Sequence, residues 1–301
     1  MPHDTRMDDR THQPGFLALV VLAMVAWGGS WITARWASGH PSDVTALWRF
    51  LLSGLSFLPI LAWRRESLRV PRDTWHWVAL SALALGSYNL CFLGGLKTGH
   101  GGYGGVLVPS LNPLFANLLA ALFMRHQVDR RTVLGLALGF SGGVLQILGP
   151  RFEVRSFLRP ENVYFLGASF SYALLTLWTA RAQQRISVFV HSFWVAVGCA
   201  LLLLPLAWTH HPFQVTALGP SFWINAVYLG LLAGTFATTV YFEAAKRVGG
   251  ARAAGFSFLV PVSALVLAFL ILGERPAWTS VVGGALSVVA VWLVQGRRRA
   301  S

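Results

Sequence analysis

Val108-Pro109-Ser110-Leu111-Asn112-Pro113 opens an apolar run that ends at His126, and Phe256-Ser257-Phe258-Leu259-Val260-Pro261 opens another that ends at Glu274. Pro113 to His126 is 13 residues, and so is Pro261 to Glu274. A glycine follows nine residues later in each copy, at Gly135 and Gly283. Upstream, Leu96-Lys97 and Ala245-Lys246 hold like places, apart from one residue inserted or deleted. The sequence therefore reads as two related halves, about 1–150 and 151–301, within one domain.

Working outward from this repeat, apolar stretches of about 20 residues follow one another, the length that crosses a ~30 Å hydrocarbon core as a helix. They fall at about 16–36, 44–63, 75–96, 103–124, 132–149, 162–182, 188–209, 221–244, 251–272 and 277–295. The runs are long and non-alternating, so they read as helices, which satisfy their own backbone groups in lipid. The first is too long for a signal peptide and lacks a small-residue cleavage site. With five spans in each half, the second half must enter the membrane the opposite way up. The expected fold is an all-α integral membrane protein with ten transmembrane helices as an inverted repeat of two five-helix halves. Such repeats are a signature of secondary transporters, with the substrate site near the midplane where the halves meet.

Composition agrees. Hydrophobic residues make up 55% of the 301 and charged ones 12%, with a mean hydropathy of +0.57. A soluble chain of this length carries roughly twice that share of charge, which excludes an ordinary soluble enzyme or nucleic-acid-binding domain. Cys91 and Cys199 both sit in apolar runs and exclude a disulfide framework or zinc cluster. The net charge of +13 has a topological meaning. With the N-terminus placed in the cytoplasm, 17 Lys and Arg fall on inside connections and 6 on outside ones, while Arg49 lies within a span. That bias puts both termini in the cytoplasm. Trp63, Trp75, Trp77, Trp208, Trp223 and Trp278 fall at span ends and read as an interfacial belt.

Several residues carry a resemblance. Ala26-Trp27-Gly28-Gly29-Ser30-Trp31 lies in the first span and Leu47-Trp48-Arg49-Phe50 opens the second. The Leu96-Lys97-Thr98 turn, the proline-bearing fourth span and Leu272-Gly273-Glu274-Arg275 at the close of the ninth follow in order. Together they resemble the drug/metabolite transporter superfamily, in its ten-helix EamA type. The aromatic enrichment is similar to that of its aromatic amino-acid exporters. The resemblance covers nearly the whole chain. It implies a basket of ten helices that exports small metabolites across a bacterial cytoplasmic (inner) membrane, without a cofactor or bound metal. His126 stands where the family pattern has an acidic residue, although the second half keeps Glu274.

The polar and aromatic residues near span centres are the candidates for the substrate site. In the first span Trp27, Ser30 and Trp31 share a face by i, i+3, i+4 spacing. The third offers Tyr88-Asn89, and the fourth Asn112. The sixth has a stripe of Ser169, Tyr172 and Thr176, with Trp178 nearby, and the eighth contributes Thr235 and Thr239. Aromatic walls stack rings and hold ammonium groups by cation–π attraction, while Asn and Ser orient a zwitterion. This favours an amphipathic metabolite such as an amino acid over a sugar phosphate; a quaternary-amine or multidrug substrate with proton coupling is the alternative. Pro113 and Pro261 hold matching places and read as hinges or packing kinks, since proline breaks an i to i−4 bond. All eleven acids lie outside the central membrane. An embedded carboxylate relay of the kind proton pumps use is therefore not expected, and transport by facilitation or exchange is. Arg49, about a turn inside the outer face, reads either as a snorkelling side chain or as the one basic site candidate.

Two motifs mislead. Gly99-His100-Gly101-Gly102-Tyr103-Gly104 satisfies a dinucleotide fingerprint, but joins two spans rather than a strand and a helix. Gly139-Phe140-Ser141-Gly142-Gly143 satisfies the nucleophile-elbow pattern inside a span without triad partners. Gly135, Gly139 and Gly143 instead form a small-residue face for helix contact. Packing within a monomer is favoured for that face, and a homodimer is the alternative.

Overall fold

The computed structural model describes residues 14–124, 130–248, 256 and 259–295. They form ten helices: α1 Pro14–Trp36, α2 Ser42–Arg64, α3 Trp75–Thr98, α4 Gly101–Met124, α5 Arg130–Leu148, α6 Pro160–Ala182, α7 Val188–Trp208, α8 over 220–248, α9 Leu259–Leu272 and α10 Trp278–Gln295. By length and composition, six of the described helices (α1, α2, α3, α6, α7 and α8) suffice to cross a membrane. Each expected span has its helix. Residues 251–255, 257 and 258 of the ninth, and His126, lie outside the described residues.

Local chemistry sets the ends. Pro160 and Pro220 stand at the first turns of α6 and α8, where a missing N–H costs nothing. The Ser187 hydroxyl accepts the Val190 N–H at 3.2 Å and caps α7. Gly273 ends α9 at φ +66°, a left-handed position that suits glycine. Two helices contain π-helical turns, α8 at Tyr228–Ala237 and α9 at Ala268–Leu272. Pro59 and Pro205 each fall 17 residues after the start of their helices, α2 and α7. The two halves therefore match at this proline as well.

The helices pack as a repeat would require. The main pairs are α3 with α6, α1 with α8, α4 with α6, α1 with α9, α3 with α7 and α2 with α8. Moving every helix five places along exchanges the first pair with the second, the third with the fourth and the fifth with the sixth. It maps the remaining pairs α2–α7, α4–α9 and α5–α10 onto themselves. The closest crossings are made by glycine. A Cβ on Gly142 of α5 would lie 2.6 Å from the Gly283 carbonyl of α10, and one on Gly283 would lie 2.5 Å from the Gly142 carbonyl. Gly139 and Gly143 face Leu114 and Leu111 of α4, so this part of the glycine face is covered within the chain.

Connections 37–41, 99–100, 149–159, 209–219 and 273–277 gather at one end of the bundle, here termed the odd end. It is tied together tightly. The Glu274 carboxylate accepts the N–H groups of Gly101 and Gly102 at 3.0 and 2.9 Å. That placement satisfies orphan donors at the start of α4 and sets negative charge at the positive end of its dipole. Arg35 donates to the Leu96 carbonyl at 2.9 Å, and Tyr103 donates to Asn162 at 2.7 Å. Beneath these, Trp31, Phe92 and Phe165 form a buried aromatic plug, with ring centroids 4.6 Å apart for Trp31–Phe92 and 5.9 Å for Trp31–Phe165. A cavity of about 480 Å3 opens at this end. Its charged groups are largely paired, as Glu153 is with Arg159 at 2.6 Å. Gln146 and Thr279, which also line it, are buried without a partner among the described residues.

Candidate functional site

The candidate residues divide by place. Tyr88 of α3 and Tyr172 of α6 meet with ring centroids 5.2 Å apart, and Tyr88 stacks on Phe92 at 5.8 Å. Each tyrosine begins about twelve or thirteen residues into its helix, so the pair sits near mid-span. Beside it, Arg49 of α2 donates from Nη1 to Asn89 Oδ1 at 2.5 Å. Asn89 is fully buried and donates in turn to the Leu85 carbonyl at 2.8 Å. The groups that interact electrostatically with the guanidinium are Tyr88, Cys199 and Tyr172.

Arg49, Tyr88 and Tyr172 are only half-buried although all lie within helices of the bundle. Each keeps some accessible surface inside the bundle. A Cβ at Gly86, which shares a face with Asn89 by i, i+3 spacing, would meet no atom within 4 Å. Tyr241 of α8 lies within electrostatic range of Tyr172. Tyr241 lies 5.2 Å from the half-buried Trp27 of α1. Helices α1, α2, α3, α6, α7 and α8 thus contribute to one aromatic-walled region holding a single cationic side chain among the described residues. Ligand sites of this kind are mostly apolar, with a few convergent polar groups.

Other candidates are engaged elsewhere. The Trp27 indole donates to the Ala233 carbonyl at 2.9 Å, inside the π-helical turn of α8. Such a turn re-routes backbone bonding and leaves a carbonyl for an outside donor. Ser30 donates to the Trp27 carbonyl at 2.6 Å, within its own turn. Trp31 is 3% exposed in the aromatic plug. Ser169 is buried and donates to the Phe165 carbonyl at 2.9 Å, and the exposed Thr176 donates to the Tyr172 carbonyl at 2.9 Å. Trp178 is half-buried. Thr235 joins Ser56 at 2.6 Å and Ser53 at 3.3 Å, tying α8 to α2. Thr239 Oγ1 and Asn112 Oδ1 are buried without a partner among the described residues. Pro113 lies within α4, and Pro261 is buried within α9.

Tyr241 was absent from the candidate set, and Arg49 stood in it only as an alternative to a snorkelling side chain. The signal for Arg49 was its place well inside a span, since an intramembrane ionisable group is a functional candidate by default. Tyr241 carried no such signal, being near the end of its apolar run. His191 is buried and lies 3.2 Å from Ser81, a packing contact between α7 and α3. Among the described residues no three His, Cys, Asp or Glu gather where a metal could be held.

With this geometry in place, the comparisons define the class. The EamA-like transporter family model matches residues 15–148 and again 159–295. The chain belongs to the EamA-like transporter family, in the drug/metabolite transporter superfamily: a multi-pass membrane transporter, not an enzyme. Among its relatives, an uncharacterized transporter of Archaeoglobus fulgidus is 23% identical over 97% of this chain and 99% of its own length. A probable terminal-alkyne amino-acid exporter of Streptantibioticus cattleyicolor is 26% identical over 92% of this chain and 97% of its own. One solved crystal structure shares the fold with a TM-score of 0.64 at 19% identity, over 93% of this chain and 98% of that one.

Proposed function

We propose that this transporter exports small amphipathic metabolites, aromatic or neutral amino acids foremost, through the space beside Tyr88 and Tyr172. The observation that carries the reading is the pairing of these two rings at mid-span, half-buried and next to Arg49. An aromatic wall accepts an apolar body, while Arg49 and Asn89 supply hydrogen-bonding groups for its polar end. The relative that is a probable amino-acid exporter supports the same substrate class.

Alternating access is the mechanism proposed, with halves 1–150 and 151–301 moving against each other and Pro113 and Pro261 as hinges. The odd end is assigned to the outside and both termini to the cytoplasm, on the Lys and Arg bias; a bacterial inner membrane is the compartment. Helix α1 contacts α3 and α4 near the odd end through Trp31 and Arg35. Transport is by facilitation or exchange: Glu274 caps α4 at the odd end, and no carboxylate of the described residues lies beside the tyrosine pair.

Flux of the twenty amino acids and of quaternary amines in proteoliposomes, with and without an imposed pH gradient, tests the reading. Flux of aromatic and neutral amino acids without the gradient is expected. Flux of none of them removes the substrate class, and strict dependence on the gradient removes the uncoupled mechanism.

A further inference from the structure

We infer that Arg49 is a fixed counter-ion for the substrate, so that the transported class is molecules with a carboxylate on an apolar or aromatic body. The inference rests on the amphipathic-metabolite reading and narrows it to acids and zwitterions, against amines.

The argument starts from charge. Arg49 lies seven residues inside α2 from the odd end, about 10 Å along the helix at 1.5 Å per residue. At this depth an ionised side chain is costly and pairs with an opposite charge or faces an aqueous cavity. No ion pair of Arg49 with a carboxylate is present among the described residues. Its electrostatic partners are two phenols and a thiol, all neutral in their ordinary state at pH 7. Asn89 takes one N–H, and a guanidinium has five donors in a planar fork that matches a carboxylate.

A purely structural role does not account for this arrangement. Linking α2 to α3 needs one hydrogen bond, and α2 is linked to α8 by the neutral trio Ser53, Ser56 and Thr235. A charge used in their place pays desolvation without the Coulombic return of a partner. Nor is the guanidinium free to snorkel: it is held by Asn89 of α3, nine residues from the odd end of that helix. What remains is a half-buried positive group inside the bundle, with Tyr88 and Tyr172 beside it. A carboxylate entering there gains charge-assisted bonds from the fork while its apolar body lies against the rings. A quaternary amine meets like charge. Asn89 is the positioning residue that aims the fork.

The experiment measures binding to the purified full-length protein, and counterflow in proteoliposomes, of phenylalanine, 3-phenylpropanoate and phenethylamine, for wild type, Arg49→Gln and Arg49→Lys. Size-exclusion profiles serve as the folding control. Wild type is expected to bind both carboxylates at least tenfold more tightly than phenethylamine. Arg49→Gln should lose at least tenfold for both carboxylates and change less than twofold for the amine, with Arg49→Lys between. If 3-phenylpropanoate binds in this Arg49-dependent way and phenylalanine does not, the amino-acid reading falls and the counter-ion stands. If phenylalanine is transported equally by wild type and Arg49→Gln, the counter-ion falls and the amino-acid reading stands. A wild type that binds neither carboxylate, or prefers the amine, also overturns the counter-ion, whatever the variants do.

Discussion

The crossing of α3 with α6 and the crossing of α8 with α1 are one element of the repeat used twice, and they have diverged. Counted from the helix starts, Tyr88 corresponds to Ala233, and Tyr172 falls within one residue of the place matching Trp27. The α8–α1 crossing consumes its polarity internally. The Trp27 indole is satisfied by the Ala233 carbonyl, and Thr235, one turn of contact away, by Ser53 and Ser56 of α2. At the α3–α6 crossing, two half-buried phenol rings meet, and the nearby cation has an amide but, among the described residues, no acid. Arg49 and Val195 share a place in the repeat, seven residues into α2 and α7. Duplication supplies a symmetric scaffold; chemistry placed on one side of it makes a site.

The sharpest way to break this comparison is to give the α3–α6 crossing an internal partner of its own. Asn89→Asp places a carboxylate against the Arg49 guanidinium. Charge-assisted bonds contribute about 1.5–3 kcal/mol, so carboxylate affinity is expected to fall roughly 10- to 100-fold by titration, with folding retained.

The next effect contrasts space with contact. Gly86→Ala adds a methyl where no atom lies within 4 Å, whereas Gly28→Ala drives one into Ser263 and the α9 backbone, 2.9 Å from the Ala264 nitrogen. Gly28→Ala should cost about 1–3 kcal/mol as overpacking, read as a lowered Tm in detergent. Gly86→Ala should be neutral or gain up to ~1 kcal/mol from helix propensity. Equal losses would mean that Gly86 does not border a space.

The smallest effect belongs to the α8–α1 crossing. Trp27→Phe keeps a ring against Tyr241 and removes the N–H. The loss expected is that of one hydrogen bond, about 1 kcal/mol, in thermal stability and with substrate selectivity unchanged. A change of selectivity without a change of Tm would move Trp27 from the scaffold to the binding surface.

The sequence made the ten helices and their repeat readable because lipid enforces length, apolarity and internal hydrogen bonding on every span. The Pro113 and Pro261 correspondence was visible for the same reason, as a fixed distance to the end of a run. Side-chain partners were not. Trp31 and Trp27 share a helical face, yet one is sealed in the plug and the other bonds a π-turn carbonyl. Neither the π-turn nor the neighbouring helix leaves a mark in local spacing. Ser169 and Thr176 read as a polar stripe with Tyr172, but both hydroxyls bond to carbonyls one turn back. Arg49 was ambiguous because depth alone does not separate a snorkelling cation from one held inward. Asn89, on another helix, makes the difference.

The most direct measurement compares two near-isosteric probes on the wild-type protein: 3-phenylpropanoate and its neutral amide, 3-phenylpropanamide. Their apolar bodies are the same, so their affinity ratio reads the charge at the site. An unpaired Arg49 facing the substrate predicts that the carboxylate binds at least tenfold more tightly than the amide. Equal affinities, or a preference for the amide, would contradict the account.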